Sequence, residues 1–217
     1  MRRGFMTENT SRRRFLKATA ATGALAGLNA AVLAQDQSQN EAVILLGGET
    51  SGWLGYRLPG EAEADGSSNP TLTLQEGTTY TLLWENVDGA PHNIAFQNED
   101  GDNLQVLRPL SVEEGVYEEA NGTETNETLS LNVSDSNVTG VSTEENMTEE
   151  DEETTVAEDE LVEVSETVDG EGTVQGVQFT ATSEMAQYIC LVHPNSMVGD
   201  VEVESADGDG MENNSSG

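Results

Sequence analysis

Two histidines and one cysteine supply all the imidazole and thiol in this chain of 217 residues. His92 stands in the run Pro91-His92-Asn93. His193 lies within Cys190-Leu191-Val192-His193-Pro194-Asn195-Ser196-Met197. A thiolate and two imidazoles in a near-trigonal plane, with a weak axial thioether, are the donors of a mononuclear copper centre for electron transfer. Cys190, His193 and Met197 fall within eight residues, which fits one loop folding around an ion. The fourth donor, His92, comes from a distant strand and would tie that loop to the body of the fold. Such a frame keeps the ion in nearly the same place in both oxidation states, so little reorganisation accompanies electron transfer.

Plainer readings stay open for each residue. Either histidine can be a hydrogen-bonded core residue, and Cys190 an inert buried thiol. A backbone or Gln-type axial ligand is the alternative to Met197, although of the nearby methionines (Met185, Met197, Met211) only Met197 sits in the loop. An enzyme reading would make Cys190 a nucleophile activated by His92 or His193. Multicopper oxidation or nitrite reduction needs further histidine ligands, and a binuclear copper centre needs two cysteines; the chain has neither. No enzymatic activity is expected. A third reading is a copper-storage or surface glycoprotein that uses the fold only as scaffold, with zinc in place of copper as its variant. Thiolate together with thioether favours copper over zinc.

The elements that must position these donors read as β. From Glu41 onward, short runs rich in Val, Leu, Thr, Tyr and Phe are separated by Gly, Asn, Asp and Pro clusters, the pattern of an all-β sandwich or barrel. Expected strands are Ala42–Leu46, Thr71–Leu74, Thr78–Glu85, Asn93–Gln97, Leu104–Leu107, Thr173–Ala181, Gln187–Cys190 and Asp200–Glu204. In the third, Tyr80, Leu82 and Trp84 share one face with period two, which predicts a half-buried strand.

Ahead of the domain, Ser11-Arg12-Arg13-Arg14-Phe15-Leu16-Lys17 and the mild apolar stretch Ala18 to Ala34 resemble a twin-arginine export signal. Cleavage is expected after Ala34, giving an exported product, or a tethered one if the signal is kept. Outside that signal only Arg57 and Arg108 remain against 40 acidic residues, a net charge of −38. Nucleic acid is excluded as a partner, because phosphate binding needs Lys and Arg. Self-repulsion of this size destabilises a compact state in dilute buffer. At about 1 M salt the Debye length is roughly 3 Å and most of that repulsion is screened. The composition reads as adaptation to a hypersaline medium.

Between about 118 and 172 the chain turns to Glu, Thr, Asn and Ser, with N-x-[ST] sequons starting at Asn121, Asn126, Asn132, Asn137 and Asn146. A glycosylated surface insertion, largely disordered, is expected there. An acidic tail with sequons at Asn213 and Asn214 follows from Ser205.

The C-x2-H-x3-M segment ahead of Gly199-Asp200-Val201, with the upstream Pro91-His92-Asn93, resembles the cupredoxin family. Within it the likeness is to small blue copper proteins such as plastocyanins, pseudoazurins, amicyanins and the halocyanins of haloarchaea. It covers about residues 41–117 and 173–204. The resemblance implies an all-β, Greek-key β-sandwich interrupted by the long acidic insertion. It implies one type 1 copper, bound by His92, Cys190, His193 and Met197, with the Asn93 side chain bracing the ligand loop. It also implies a monomeric one-electron carrier serving protein redox partners such as respiratory membrane complexes. Electrons would pass at the edge of His193, where Leu191, Val192, Pro194 and Val198 would form a docking patch. His92 and Cys190 are 98 positions apart, roughly double the family's usual separation; removing the 55 residues of the insertion leaves 43. Pro194 directly after the loop histidine resembles amicyanins, and it has no N–H to offer the thiolate.

Overall fold

The computed structural model describes residues 42–59, 64, 66–123, 129–143 and 161–205. The export signal, the tail beyond 205, and residues 124–128 and 144–160 of the insertion lie outside the described residues, as do the sequons at Asn126, Asn146, Asn213 and Asn214. Among the described residues no helix is long and apolar enough to cross a membrane.

Eleven strands and one short helix make up this part of the chain. They run β1 (Ala42–Glu49), β2 (Gly52–Arg57), β3 (Leu72–Gln75), β4 (Thr79–Asn86), β5 (Ala95–Gln97) and β6 (Arg108–Val112). After them come α1 (Val116–Gly122), β7 (Leu129–Ser134), β8 (Asn137–Thr143), β9 (Val174–Thr180), β10 (Gln187–Ile189) and β11 (Val198–Glu204). Seven strands form one sheet in the order β2-β1-β4-β9-β6-β8-β7, and four form a second in the order β3-β11-β10-β5. Alternate residues of both sheets meet in a single apolar cluster: Ile44, Leu46, Leu82, Trp84 and Phe179 from the first, Leu72, Leu74, Phe96, Tyr188 and Val201 from the second. The fold is the expected all-β sandwich.

The larger sheet is buried on its other face too. Val43, Leu45 and Leu83 point away from the sandwich and pack in a second cluster with Val116, Tyr117 and Ala120 of α1 and Leu129, Leu131 and Val138 of the β7–β8 hairpin. The Tyr117 hydroxyl, itself buried, donates to the Leu46 carbonyl at 2.7 Å. Strand β4 is therefore not half-buried as its Tyr80-Leu82-Trp84 face predicts, because Thr81 and Leu83 on the opposite face are buried as well.

This changes the reading of residues 118–172. The tract expected to be largely disordered contributes most of α1, both strands of a hairpin, and a segment from 161 to 172 that pairs with His92, Ala95 and Leu107. Its Asn, Ser and Thr content hides a period-two pattern in Leu129, Leu131 and Val133; opposite them, Val141 pairs with Leu131 and Val138 with Val133 across a register shift in the hairpin. Asp135 and Ser136, at φ 49° and 62°, join the two strands. A two-residue turn with both centres left-handed matches the twist of a hairpin. Further on, the Val162 and His92 neighbourhoods are stitched together: Val162 pairs with Leu107, Val164 with Ala95 and Val168 with His92.

Two other boundaries differ from the sequence reading. The strand expected at Leu104–Leu107 lies one segment later, at β6, where Pro109 stands opposite Val177. A proline cannot donate to the ladder and so reads as a break. Strand β2 was not expected, since Gly52 and Gly55 interrupt its apolar alternation.

Candidate metal centre

Strand β4 ends in a tight turn that delivers His92. Asn86 Nδ2 donates to the Ala90 carbonyl at 2.7 Å, and Asn86 Oδ1 accepts from the Gly89 N–H at 2.7 Å. Gly89 has φ 75°, a left-handed conformation that glycine adopts without strain. From there the chain enters the sandwich. His92 is fully buried, and its backbone N–H and carbonyl both bond Val168 at 2.9 Å. The ring of Trp84 packs edge-on to the imidazole, with centroids 6.3 Å apart.

The other donors come from the loop between β10 and β11. Cys190 N donates to the Met197 carbonyl at 3.0 Å, which closes the loop at its base. Inside it, His193 N bonds Cys190 O at 3.1 Å, and Ser196 N and Met197 N both reach His193 O. Two residues outside the loop on either side, Tyr188 faces Gly199 across the β10–β11 pair. A Cβ at Gly199 would overlap the Tyr188 ring. The Tyr188 hydroxyl is held by the Pro70 carbonyl at 2.6 Å, so the ring has no room to move away.

These two pieces of chain bring His92, Cys190 and His193 together. Their donor atoms all lie within 4.8 Å of one another. Cys190 Sγ is 3.9 Å from His92 Nδ1 and 3.9 Å from His193 Nδ1, and the two rings are 4.9 Å apart at their centroids. An ion in the plane of the three donors, at about 2.0–2.1 Å from nitrogen and about 2.3 Å from sulfur, requires S···N separations of about 3.8 Å. The observed spacing fits such an ion. Met197 is fully buried in the same apolar cluster as Cys190. Two imidazoles, a cysteine sulfur and a buried thioether form the set that suits a type 1 copper rather than a hard cation.

Asn93 sits where the sequence reading wants a brace. Its Oδ1 accepts from the Leu191 N–H at 2.9 Å, across to the ligand loop, and its Nδ2 donates to Thr167 Oγ1 at 3.1 Å. Thr167 belongs to the tract expected to be disordered, so part of that tract supports the centre.

The sequence reading missed Asp88. Its Oδ1 lies 2.8 Å from His92 Nε2 and accepts from the Ala90 N–H at 3.0 Å, while Oδ2 accepts from both the N–H and the hydroxyl of Thr50. Partial burial works against the carboxylate, but these hydrogen bonds outweigh it and hold Asp88 well below the usual carboxylate range. In a chain with 41 acidic residues, one Asp in an Asn-Val-Asp-Gly turn carries no signal of its own.

At the surface, His193 is half-buried beside Val192, the one exposed large hydrophobic residue among those described, at 42 % exposure.

Residues 68–204 match the model of the plastocyanin/azurin family of copper binding proteins. Among solved structures, reduced auracyanin from the photosynthetic bacterium Roseiflexus castenholzii is 14 % identical, over 76 % of this chain and 98 % of that one, with a TM-score of 0.33. Rusticyanin from Thiobacillus ferrooxidans is 14 % identical over 76 % and 78 %, with a TM-score of 0.34. Auracyanin A, a "blue" copper protein from Chloroflexus aurantiacus, is 16 % identical over 76 % and 99 %, with a TM-score of 0.32. No curated protein matches the chain. The family match spans well over half of the sequence and takes in His92, Cys190, His193 and Met197: the chain belongs to the plastocyanin/azurin family of copper binding proteins, with a single type 1 copper site.

Proposed function

We propose that this protein is an exported one-electron carrier whose copper would be held by His92, Cys190 and His193, with the thioether of Met197 as a fourth donor. The observation that carries this reading is the convergence of two Nδ1 atoms on one buried thiol at 3.9 Å each. Copper bound there supplies the redox couple, Cu(II) to Cu(I). The chain supplies a hydrogen-bonded frame: His92 follows the turn after β4 and pairs with Val168, and the loop donors are tied by backbone hydrogen bonds within 190–197. Burial of Cys190 and His92 keeps water from the centre, while His193 leaves an edge toward solvent.

The partners are protein redox complexes, of the kind found in respiratory membranes. Val192 and Pro194, exposed on either side of His193, offer them an uncharged contact on an otherwise acidic protein. In a hypersaline medium the long-range field of the acidic surface is screened, so short-range apolar docking governs the encounter. Export through the twin-arginine pathway, suggested by Arg12-Arg13, places the carrier outside the cytoplasm as a monomer, with glycans on the accessible sequons.

The test is the visible spectrum of the copper-loaded protein in high salt, with metal analysis. An intense blue absorption that dithionite bleaches, and that Cys190→Ser abolishes, is the expected result. A colourless, redox-silent holoprotein would point to storage or zinc binding and overturn the carrier reading.

A further inference from the structure

The four donors do not account for the groups arranged behind His92. A carboxylate can only accept, so the 2.8 Å contact between Asp88 Oδ1 and His92 Nε2 places the proton of the neutral ring on Nε2. Nδ1 is then a bare lone pair, and it is the atom that faces Cys190 Sγ. The hydrogen bond made by one ring nitrogen decides what the other can do. Asp88 is itself gripped from two sides. Thr50, in the turn between β1 and β2, gives Oδ2 its N–H at 2.7 Å and its hydroxyl at 2.6 Å; Ala90 N gives Oδ1 another bond at 3.0 Å.

Thr50 has a second partner. Its carbonyl accepts from the hydroxyl of Ser196, inside the ligand loop and next to Met197. The carbonyl of Ser196 accepts in turn from Asn69 Nδ2 at 2.8 Å, and Asn69 Oδ1 accepts from Trp53 N at 2.8 Å. One turn of the β1–β2 hairpin therefore touches both halves of the centre, the strand histidine through Asp88 and the loop through Ser196.

We propose that Asp88 is a positioning residue of the copper centre, which fixes the His92 ring with Nδ1 toward the metal and sets negative charge behind it, and that Thr50 couples His92 to the ligand loop. The inference rests on reading His92, Cys190, His193 and Met197 as the copper ligands. A negative group behind a ligand imidazole raises its basicity and favours the more highly charged metal ion, Cu(II) over Cu(I). Partners of this kind typically change metal affinity by about 10- to 100-fold. Removing the charge of Asp88 should therefore weaken Cu(II) binding at least tenfold relative to Cu(I). For a one-electron couple a tenfold change is about 59 mV, upward.

The experiment uses the full chain and three variants, Asp88→Asn, Asp88→Ala and Thr50→Val. In the copper-free protein, long-range nitrogen–proton NMR reads the His92 tautomer without any metal. Nε2–H is expected in the wild type, and a mixture of tautomers in Asp88→Ala. In the copper-loaded protein, the potential is expected to rise by about tenfold in relative affinity for Asp88→Asn, and by less, in the same direction, for Thr50→Val. A purely structural Asp88 would lower the melting temperature and leave both readouts in place. If Asp88→Ala does not fold, Asp88→Asn and Thr50→Val decide. A wild type that is blue, with the potential unmoved in Asp88→Asn, overturns this inference alone, as does a copper-free His92 protonated at Nδ1. A wild type that forms no blue centre overturns the ligand assignment and this inference together.

Discussion

The hairpin formed by β7 and β8 invites a decisive perturbation, Leu131→Ala. Leu131 is 5 % exposed and packs among Val43, Leu45, Leu83 and the α1 side chains on the outer face of the larger sheet. Truncating a buried leucine costs about 2–5 kcal/mol, through the lost transfer energy and the cavity left behind. Strand β7 stands at the end of the strand order, where the chain relaxes more freely into a void, so the lower part of that range applies, about 2–3 kcal/mol. For a domain of this size each kcal/mol moves the melting temperature by about 2–4 °C, so the shift is roughly 4–12 °C. Denaturant titration of the copper-free protein in high salt, followed by circular dichroism, measures it. The blue absorption and the potential should not change, because Leu131 shares no cluster with Cys190 or Met197. A substitution at a solvated loop position costs less than about 0.5 kcal/mol. A loss that small would refute the outer layer described above and restore the disordered insertion.

Asn93→Ala removes the acceptor of the Leu191 N–H and should cost about 1–3 kcal/mol of copper-free stability, with copper held roughly 10- to 100-fold less tightly; competition with a copper chelator reads the second effect, and an unchanged affinity refutes the brace. Glu85 is pushed above the ordinary carboxylate range by partial burial and by the charges of Glu118 and Glu171. The folded protein thus holds that proton more tightly than the unfolded chain, so stability falls as pH rises from the usual carboxylate pKa through the raised one. Glu85→Gln should melt higher than the wild type at neutral pH, and the advantage should vanish on acidification; a variant less stable at pH 7 refutes the sign. Transfer from concentrated salt to dilute buffer should lower the melting temperature steeply, and full stability in dilute buffer would refute the reading of the charge as salt adaptation.

The three donors that the structure brings together, His92, Cys190 and His193, were legible in the sequence, and for a simple reason. The chain has two histidines and one cysteine, and each falls in a short run whose spacing suits a metal. The β character was legible too, in runs such as Thr78–Glu85 and Thr173–Ala181 that match β4 and β9 within a residue or two. Much of what stayed hidden lay in the insertion. The alternation of Leu129, Leu131 and Val133 is ordinary strand patterning, but it is embedded in a composition that signals disorder. Composition averages over a window, whereas burial is decided residue by residue. Val164 and Val168 were obscured in the same way, although they pair with Ala95 and His92. Asp88 and Thr50 were illegible for another reason: they meet only because the β1–β2 turn and the turn after β4 lie side by side, a contact 38 residues apart with no local pattern.

Tyr188 and Gly199 have a consequence for how such a chain can change over time. The ring fills the space any larger residue at 199 would need, and its hydroxyl is tied to Pro70. No single step away from glycine at 199 is open while the tyrosine stands, and replacing the tyrosine alone leaves a cavity between two strands. The pair can drift only together, so two residues that never meet the ion are inherited as one unit with the loop they enclose.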